Sequence, residues 1–418
     1  MLWADYALVA TIASFAAIIV LVKVGADLGL SLFAGALMLS VLLATPKTPA
    51  MLLSTLTDVR TLYLMLMSFS VSLFAVVYEA SGVVKELGVG LAKALRSPAA
   101  AIMLVPAIVG LLPVAGGALM SAPIVGGVGG PAGLGPAELV FANVWFRHIL
   151  FLSYPLSQVM IATSAMTGEP VDAIAGIQAP ILAFAAIVGY LMIRGKLRGA
   201  GSAAGLKGLE VRVPLRYSLT PLALAVALAL TLRYVVGLFG MPAGVLASIP
   251  AILAAMRRSG LGGSVTGVLG RSLRSGRVWG ITATAYAIMF LQHAMVGSGA
   301  SRAIATAISS VRAPPELLCI AIPATIAFLT SSPLSSVVLT IPMIPGVSSN
   351  PSLVSLVYVS ALITYIGSPT HLCLVYTSKY FGPDSMAKSY RYLVPATVVT
   401  LAFAIAYLTL TPVGRLLG

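Results

Sequence analysis

One arginine stands where an arginine is expensive. Arg147 lies about three turns into an apolar stretch and six residues before Ser153-Tyr154-Pro155, roughly 9 Å along a helix. A charge inside such a segment is costly and marks a functional site by default. Two roles suit it equally: the planar guanidinium binds an anionic substrate, or it caps carbonyls of a neighbouring turn as structural glue. No acidic residue lies within one helical turn to neutralise it, the nearest by sequence being Glu138 and Glu169. His148, its neighbour, points to a different helix face, which predicts no joint site.

A second set is rich in hydroxyls. Thr330-Ser331-Ser332-Pro333-Leu334-Ser335-Ser336 and Gly367-Ser368-Pro369-Thr370 each interrupt an apolar run. Oxygens of Thr330, Ser331, Ser332 and Ser368 are of the hard type that holds sodium; alternatively they satisfy backbone groups freed by the interruption. His371 follows directly, and either lines a cavity or is a core histidine bonded to a carbonyl. A third interruption, Pro113-Val114-Ala115-Gly116-Gly117, offers backbone amides in place of side chains. The expected substrate-binding set is Pro113, Ala115, Gly116, Gly117, Arg147, Ser153, Ser331, Ser332, Ser335, Ser368, Thr370 and His371.

Enzyme chemistry finds no foothold. The chain contains no His-Glu-x-x-His pattern, Gly-x-Ser-x-Gly elbow or phosphate loop. Cys319 and Cys373 lie in apolar segments far apart in sequence, which predicts neither a disulfide framework nor a thiolate metal site. No catalytic residue and no cofactor is therefore expected. Glu79 and His293 fall near the ends of corresponding apolar segments and suit a snorkelling interfacial role better than proton carriage. The other acidic residues sit at segment ends or in loops, which favours a carrier of a small anion over a sodium/proton-type cation antiporter. A channel and a membrane-embedded enzyme are weaker alternatives.

The elements that position these residues are membrane spans. Hydrophobic residues make up 59% of the 418 and charged ones 9%, with a mean hydropathy of +1.04, far outside soluble usage. Apolar runs at 6–22, 27–45, 61–80, 171–193, 215–236, 241–256, 278–296 and 390–410 are about long enough to cross a bilayer. The first lacks a basic n-region and reads as a span, not a signal peptide. The net charge of +14 does not point to nucleic acid. Arg194, Lys196, Arg198, Lys207, Arg212 and Arg216 crowd one inter-helix loop, and Arg257, Arg258, Arg271, Arg274 and Arg277 another. The positive-inside rule puts both in the cytoplasm of a cell whose cytoplasmic membrane holds the chain.

Between the spans, 98–127 and 314–345 each read as a re-entrant hairpin, two short arms about a Gly/Pro or polar tip, allowed at membrane depth only where protein or water covers it. Segments 137–165 and 353–380 each read as a helix broken at proline. Residues 81–97 and 298–312 are amphipathic and suit the membrane surface. The order of elements occurs twice. Ser121-Ala122-Pro123-Ile124 echoes Thr340-Ile341-Pro342-Met343, and Pro155, Thr163-Ser164 and Gly168 echo Pro369, Thr377-Ser378 and Gly382. Five spans per repeat is odd, so the second copy is inverted. The fold class expected is an all-α polytopic membrane protein of two inverted repeats of five transmembrane helices. The first repeat covers 1–194 and the second 215–418, joined by a basic cytoplasmic linker, 195–214. Paired broken helices are the mark of secondary transporters.

The stretch from Gly110 through Pro113, Gly116-Gly117 and Ser121 to Pro123, followed by Asn143-Val144-Trp145-Phe146-Arg147-His148-Ile149, resembles the signature of domain of unknown function 401. That resemblance implies a place in the ion transporter superfamily, with dicarboxylate carriers and gluconate permeases. It further implies an elevator mechanism, with helix pairs 6–45 and 215–256 as a scaffold that forms a homodimer, and sodium or a proton as coupling ion. The paired Ser-Asn-Thr signatures of the dicarboxylate carriers are absent: Val114-Ala115-Gly116-Gly117 and Ser331-Ser332-Pro333 stand in their places.

Overall fold

A computed structural model describes residues 2–95, 97–111, 117–197, 211–261, 263–311, 313–382 and 384–410; side chains at 2–4, 117 and 308–311 lie outside that description. The expected tip residues Pro113, Ala115 and Gly116 fall outside the described residues. Among those described, the secondary structure is helical throughout.

Among the described residues, seven helices are long and apolar enough to cross a membrane: Asp5–Lys23, Leu28–Thr57, Val59–Ala80, Val171–Arg194, Leu215–Val236, Gly240–Arg258 and Ser385–Leu410. The chain is a membrane protein. Gly276–Gly297 matches them in length, with 22 residues, but Thr282, Thr284, Gln292 and His293 dilute its apolar character. It packs along Leu28–Ala44 and Val59–Ala80, so protein rather than lipid covers much of its surface.

Local chemistry sets the boundaries. Asp27 and Asp58 cap their helices by accepting the amides of Leu30 and Thr61, as a carboxylate at a helix start should. The Leu215–Val236 and Gly240–Ala247 helices lie against each other because Gly240 and Gly244 carry no side chain: a Cβ on either would strike the backbone of Leu232 or Leu228. Two short helices escape the apolar pattern. Thr48–Thr57 continues the second span, and Val265–Leu273 lies inside the second basic inter-helix loop.

Each expected hairpin segment contains two helices that pack on each other. Pro98–Gly110 leads to the first tip, and Gly117–Gly129 returns past Pro123, a longer arm than the apolar run alone implied. In the second, only Ser331 and Ser332 separate Pro315–Thr330 from Pro333–Thr340. The seven-residue polar tip expected there is a correction. Ser332 accepts the Ser335 amide at 3.1 Å and Pro333 occupies the first helical position, so a helix starts in the middle of the polar run. Ser331 makes the reversal with φ +52°, a left-handed conformation that is rare outside glycine.

Both broken helices are broken. Pro136–Ile149 tightens to a 3₁₀ turn at Leu150–Leu152, and helix resumes at Gln158–Thr167. Pro351–Ile366 stops, and helix resumes at Leu372–Phe381. The returning arms then cross between the halves of the sequence: Gly117–Gly129 packs on Leu372–Phe381, and Pro333–Thr340 packs on Gln158–Thr167.

Candidate functional site

The residues expected to form one site divide into separate neighbourhoods. At the second tip, Ser331 Oγ lies 2.7 Å from Ser368 Oγ and bonds Thr370 as well, while Ser368 donates to the Phe328 carbonyl at 2.8 Å. The tip and the break therefore meet in a knot of hydroxyls. Thr330 turns away and donates to its own helix at Ile326 O, 2.7 Å. Ser332 and Ser335 bond each other at 2.8 Å. Ser153 donates to the Ala175 carbonyl at 3.0 Å, so it ties the first break to the Val171–Arg194 helix. Gly117 begins the returning arm of the first hairpin.

Arg147 is 4% exposed, and Nη1 of its guanidinium has no hydrogen-bond partner. Among the described residues no carboxylate pairs with it. Glu138, 4% exposed at the start of the same helix, is held instead by Arg391 at 3.2 Å and by the Tyr392 hydroxyl. Gly110 makes room for Arg147: a Cβ there would lie 2.8 Å from both Arg147 Cγ and its backbone oxygen.

His148 faces rings of the second half of the chain. Its ring centroid is 4.5 Å from that of His371 and 5.5 Å from that of Tyr365, and Tyr365 and His371 are 4.1 Å apart. His148 projects from the last turn of Pro136–Ile149, on which Leu372–Phe381 packs. His148 Nδ1 lies 2.7 Å from Val144 O, and His371 Nδ1 3.4 Å from Ile366 O.

A cavity of about 300 Å³ lies elsewhere, and Arg147 does not line it. Asp27, Gly276, Arg277, Ser68, Gln158 and Leu334 are among the residues that line it. Gln158 is the first residue of Gln158–Thr167, and Leu334 the second of Pro333–Thr340. Two half-helix N-termini, one from each half of the chain, thus meet one cavity, and unpaired amides at such ends favour an anion. Ser68 Oγ is 3.4 Å from Gln158 Oε1, which leaves Gln158 Nε2 without a partner. Sequence reasoning missed both residues. The available signal was a glutamine at the first helical position after a break.

Asn143 was also missed. Fully buried, it donates to Ala118 O at 3.1 Å and Thr377 Oγ1 at 2.9 Å, and accepts from Ser121 at 2.7 Å. One side chain thereby joins the first hairpin, the first broken helix and the second broken helix.

No curated protein matches the chain. A family model described as protein of unknown function, DUF401, matches residues 7–410, nearly the full length, and the chain belongs to that family.

Proposed function

We propose that the protein is a secondary carrier of a small organic or inorganic anion, and that the anion binds in the cavity at Gln158 and Leu334. The observation that carries this reading is that first-turn residues of two half-helices, Gln158 with its unpartnered Nε2 and Leu334, line one space of about 300 Å³. Such a donor, on a residue that lines a cavity between broken elements, suits a transported oxyanion or carboxylate once the side chain turns toward it. Arg277 lines the cavity with Asp27 and is paired with Glu79 at 2.6 Å, so its charge is offset there.

The inverted-repeat layout, with halves 1–194 and 215–418, supports alternating access. The end of Val59–Ala80 meets the start of Gly276–Gly297 through the Glu79–Arg277 pair, the relation expected if equivalent third spans run in opposite directions. Asp172, opening Val171–Arg194, meets Arg233, closing Leu215–Val236, at another set of helix ends. With the basic loops in the cytoplasm, the cavity opens inward. Hairpins and broken helices would form the mobile unit, and helix pairs 6–45 and 215–256 the scaffold of a homodimer, in an elevator-type cycle within the cytoplasmic membrane. The knot at Ser331, Ser368 and Thr370, beside the Phe328 carbonyl, is the candidate sodium site, coupling to a proton being the other case.

Counterflow in proteoliposomes tests the reading: vesicles loaded with one unlabelled anion should accumulate its labelled form, and Gln158→Leu should lower the rate at least tenfold while the protein stays monodisperse. No accumulation with any of a panel of carboxylates, phosphate, sulfate and nitrate would refute it.

A further inference from the structure

The cluster beside Arg147 has a chemistry that anion carriage does not use. His148 and His371 are 2% and 1% exposed, and Cys373 is half-buried. One potential ligand atom from each lies within 4.8 Å of the others. A carbonyl oxygen only accepts, so the contacts of His148 Nδ1 with Val144 O and His371 Nδ1 with Ile366 O place the ring proton on Nδ1 in both. Each Nε2 then carries a bare lone pair, and that of His371 is buried with no partner. Backbone carbonyls orienting two imidazoles in this way is the usual outer support of a metal-bound histidine.

We propose that His148, His371 and Cys373 bind one soft metal ion, copper(I), through the two Nε2 atoms and Sγ. Bonds of about 2.0 Å to nitrogen and about 2.3 Å to sulfur would set the ligand atoms roughly 3.5 Å apart, so the metal would draw the three side chains closer together. Thiolate and imidazole both suit copper(I) and zinc(II). Charge decides between them. With a neutral thiol the pocket holds the single positive charge of Arg147. Copper(I) displaces the thiol proton to water, the sulfur–copper bond replaces the sulfur–hydrogen bond, and the net charge stays the same with no change in oxidation state. Zinc(II) would add a further buried positive charge, which is costly.

The test uses full-length protein purified without a polyhistidine tag, incubated anaerobically with copper(I) buffered by bicinchoninate or with zinc(II), then desalted and counted by mass spectrometry. We expect one copper per chain and less than a tenth as much zinc. X-ray absorption should show one sulfur and two nitrogen neighbours. Cys373→Ser and His371→Gln should each lower copper affinity at least tenfold, and Cys319→Ser should not. In the wild-type protein, which avoids any folding defect of a variant, copper(I) should block alkylation of Cys373. Absence of retained copper, unprotected Cys373, full retention in Cys373→Ser, or preference for zinc would each overturn the assignment. The readout is metal content, so it is independent of whether the protein carries an anion.

Discussion

Asn143→Ala probes the joint between the halves of the chain. The substitution removes three hydrogen bonds, to Ala118 O, Thr377 Oγ1 and from Ser121, at a site with no exposure. Buried side-chain hydrogen bonds in membrane proteins average about 0.6 kcal/mol and reach about 1.7. Three of them give a loss of about 2 kcal/mol, rising to about 5 at the upper figure. The low end is favoured, because Ser121 retains a contact with Ala118 O at 3.3 Å. The assay is unfolding in mixed micelles titrated with sodium dodecyl sulfate, followed by tryptophan fluorescence; Trp145 lies two residues away on the same helix. Asn143→Asp, which replaces a two-hydrogen donor with an acceptor facing the Ala118 carbonyl, should cost at least as much as alanine. A loss below about 0.5 kcal/mol for Asn143→Ala would refute the claim that this residue fastens the hairpin to both broken helices.

Other expectations are narrower. Gly110→Ala should lose about 1–3 kcal/mol in the same assay, because its Cβ would press on the Arg147 backbone; Gly176→Ala, with nothing within 4 Å, should be neutral or stabilising. Ser368→Ala should abolish any sodium-dependent rise in melting temperature, since it removes the oxygen shared by Ser331 and the Phe328 carbonyl; an undiminished sodium effect would move the ion elsewhere. Cysteines placed at Arg212 and Arg274 should react with an impermeant maleimide from the same face of the membrane, and one at Gly237 from the opposite face. Labelling of 212 and 274 from opposite faces would break the inverted thread.

Breaks and spans were legible in the sequence because proline and glycine act locally. Pro155 and Pro369 mark interruptions whatever surrounds them. The second tip was drawn too wide because serine is read equally as loop or cap; here Ser332 caps a helix that Pro333 begins. The site was legible only in pieces. Ser331, Ser368 and Thr370 converge, since each lies at an interruption. Arg147 was conspicuous by its charge, yet its neighbours His371 and Cys373 come from more than 200 residues away, a distance that sequence spacing does not bridge. Gln158 and Ser68 stayed hidden for the reverse reason. A single neutral polar residue in an apolar helix is common, and only the cavity distinguishes these two.

The most direct test of the anion site is ligand-induced stabilisation of the purified protein across a panel of small anions, in wild type and Gln158→Leu. A hydrogen bond to a charged group contributes about 1.5–3 kcal/mol, so removing the Gln158 donor should weaken the apparent affinity for a stabilising anion about 10- to 150-fold, with the unliganded melting temperature little changed. Wild-type stabilisation by at least one anion, lost by that factor in the variant, is the predicted result. Equal stabilisation of both proteins, or of neither by any anion, would contradict a binding site at Gln158 and Leu334.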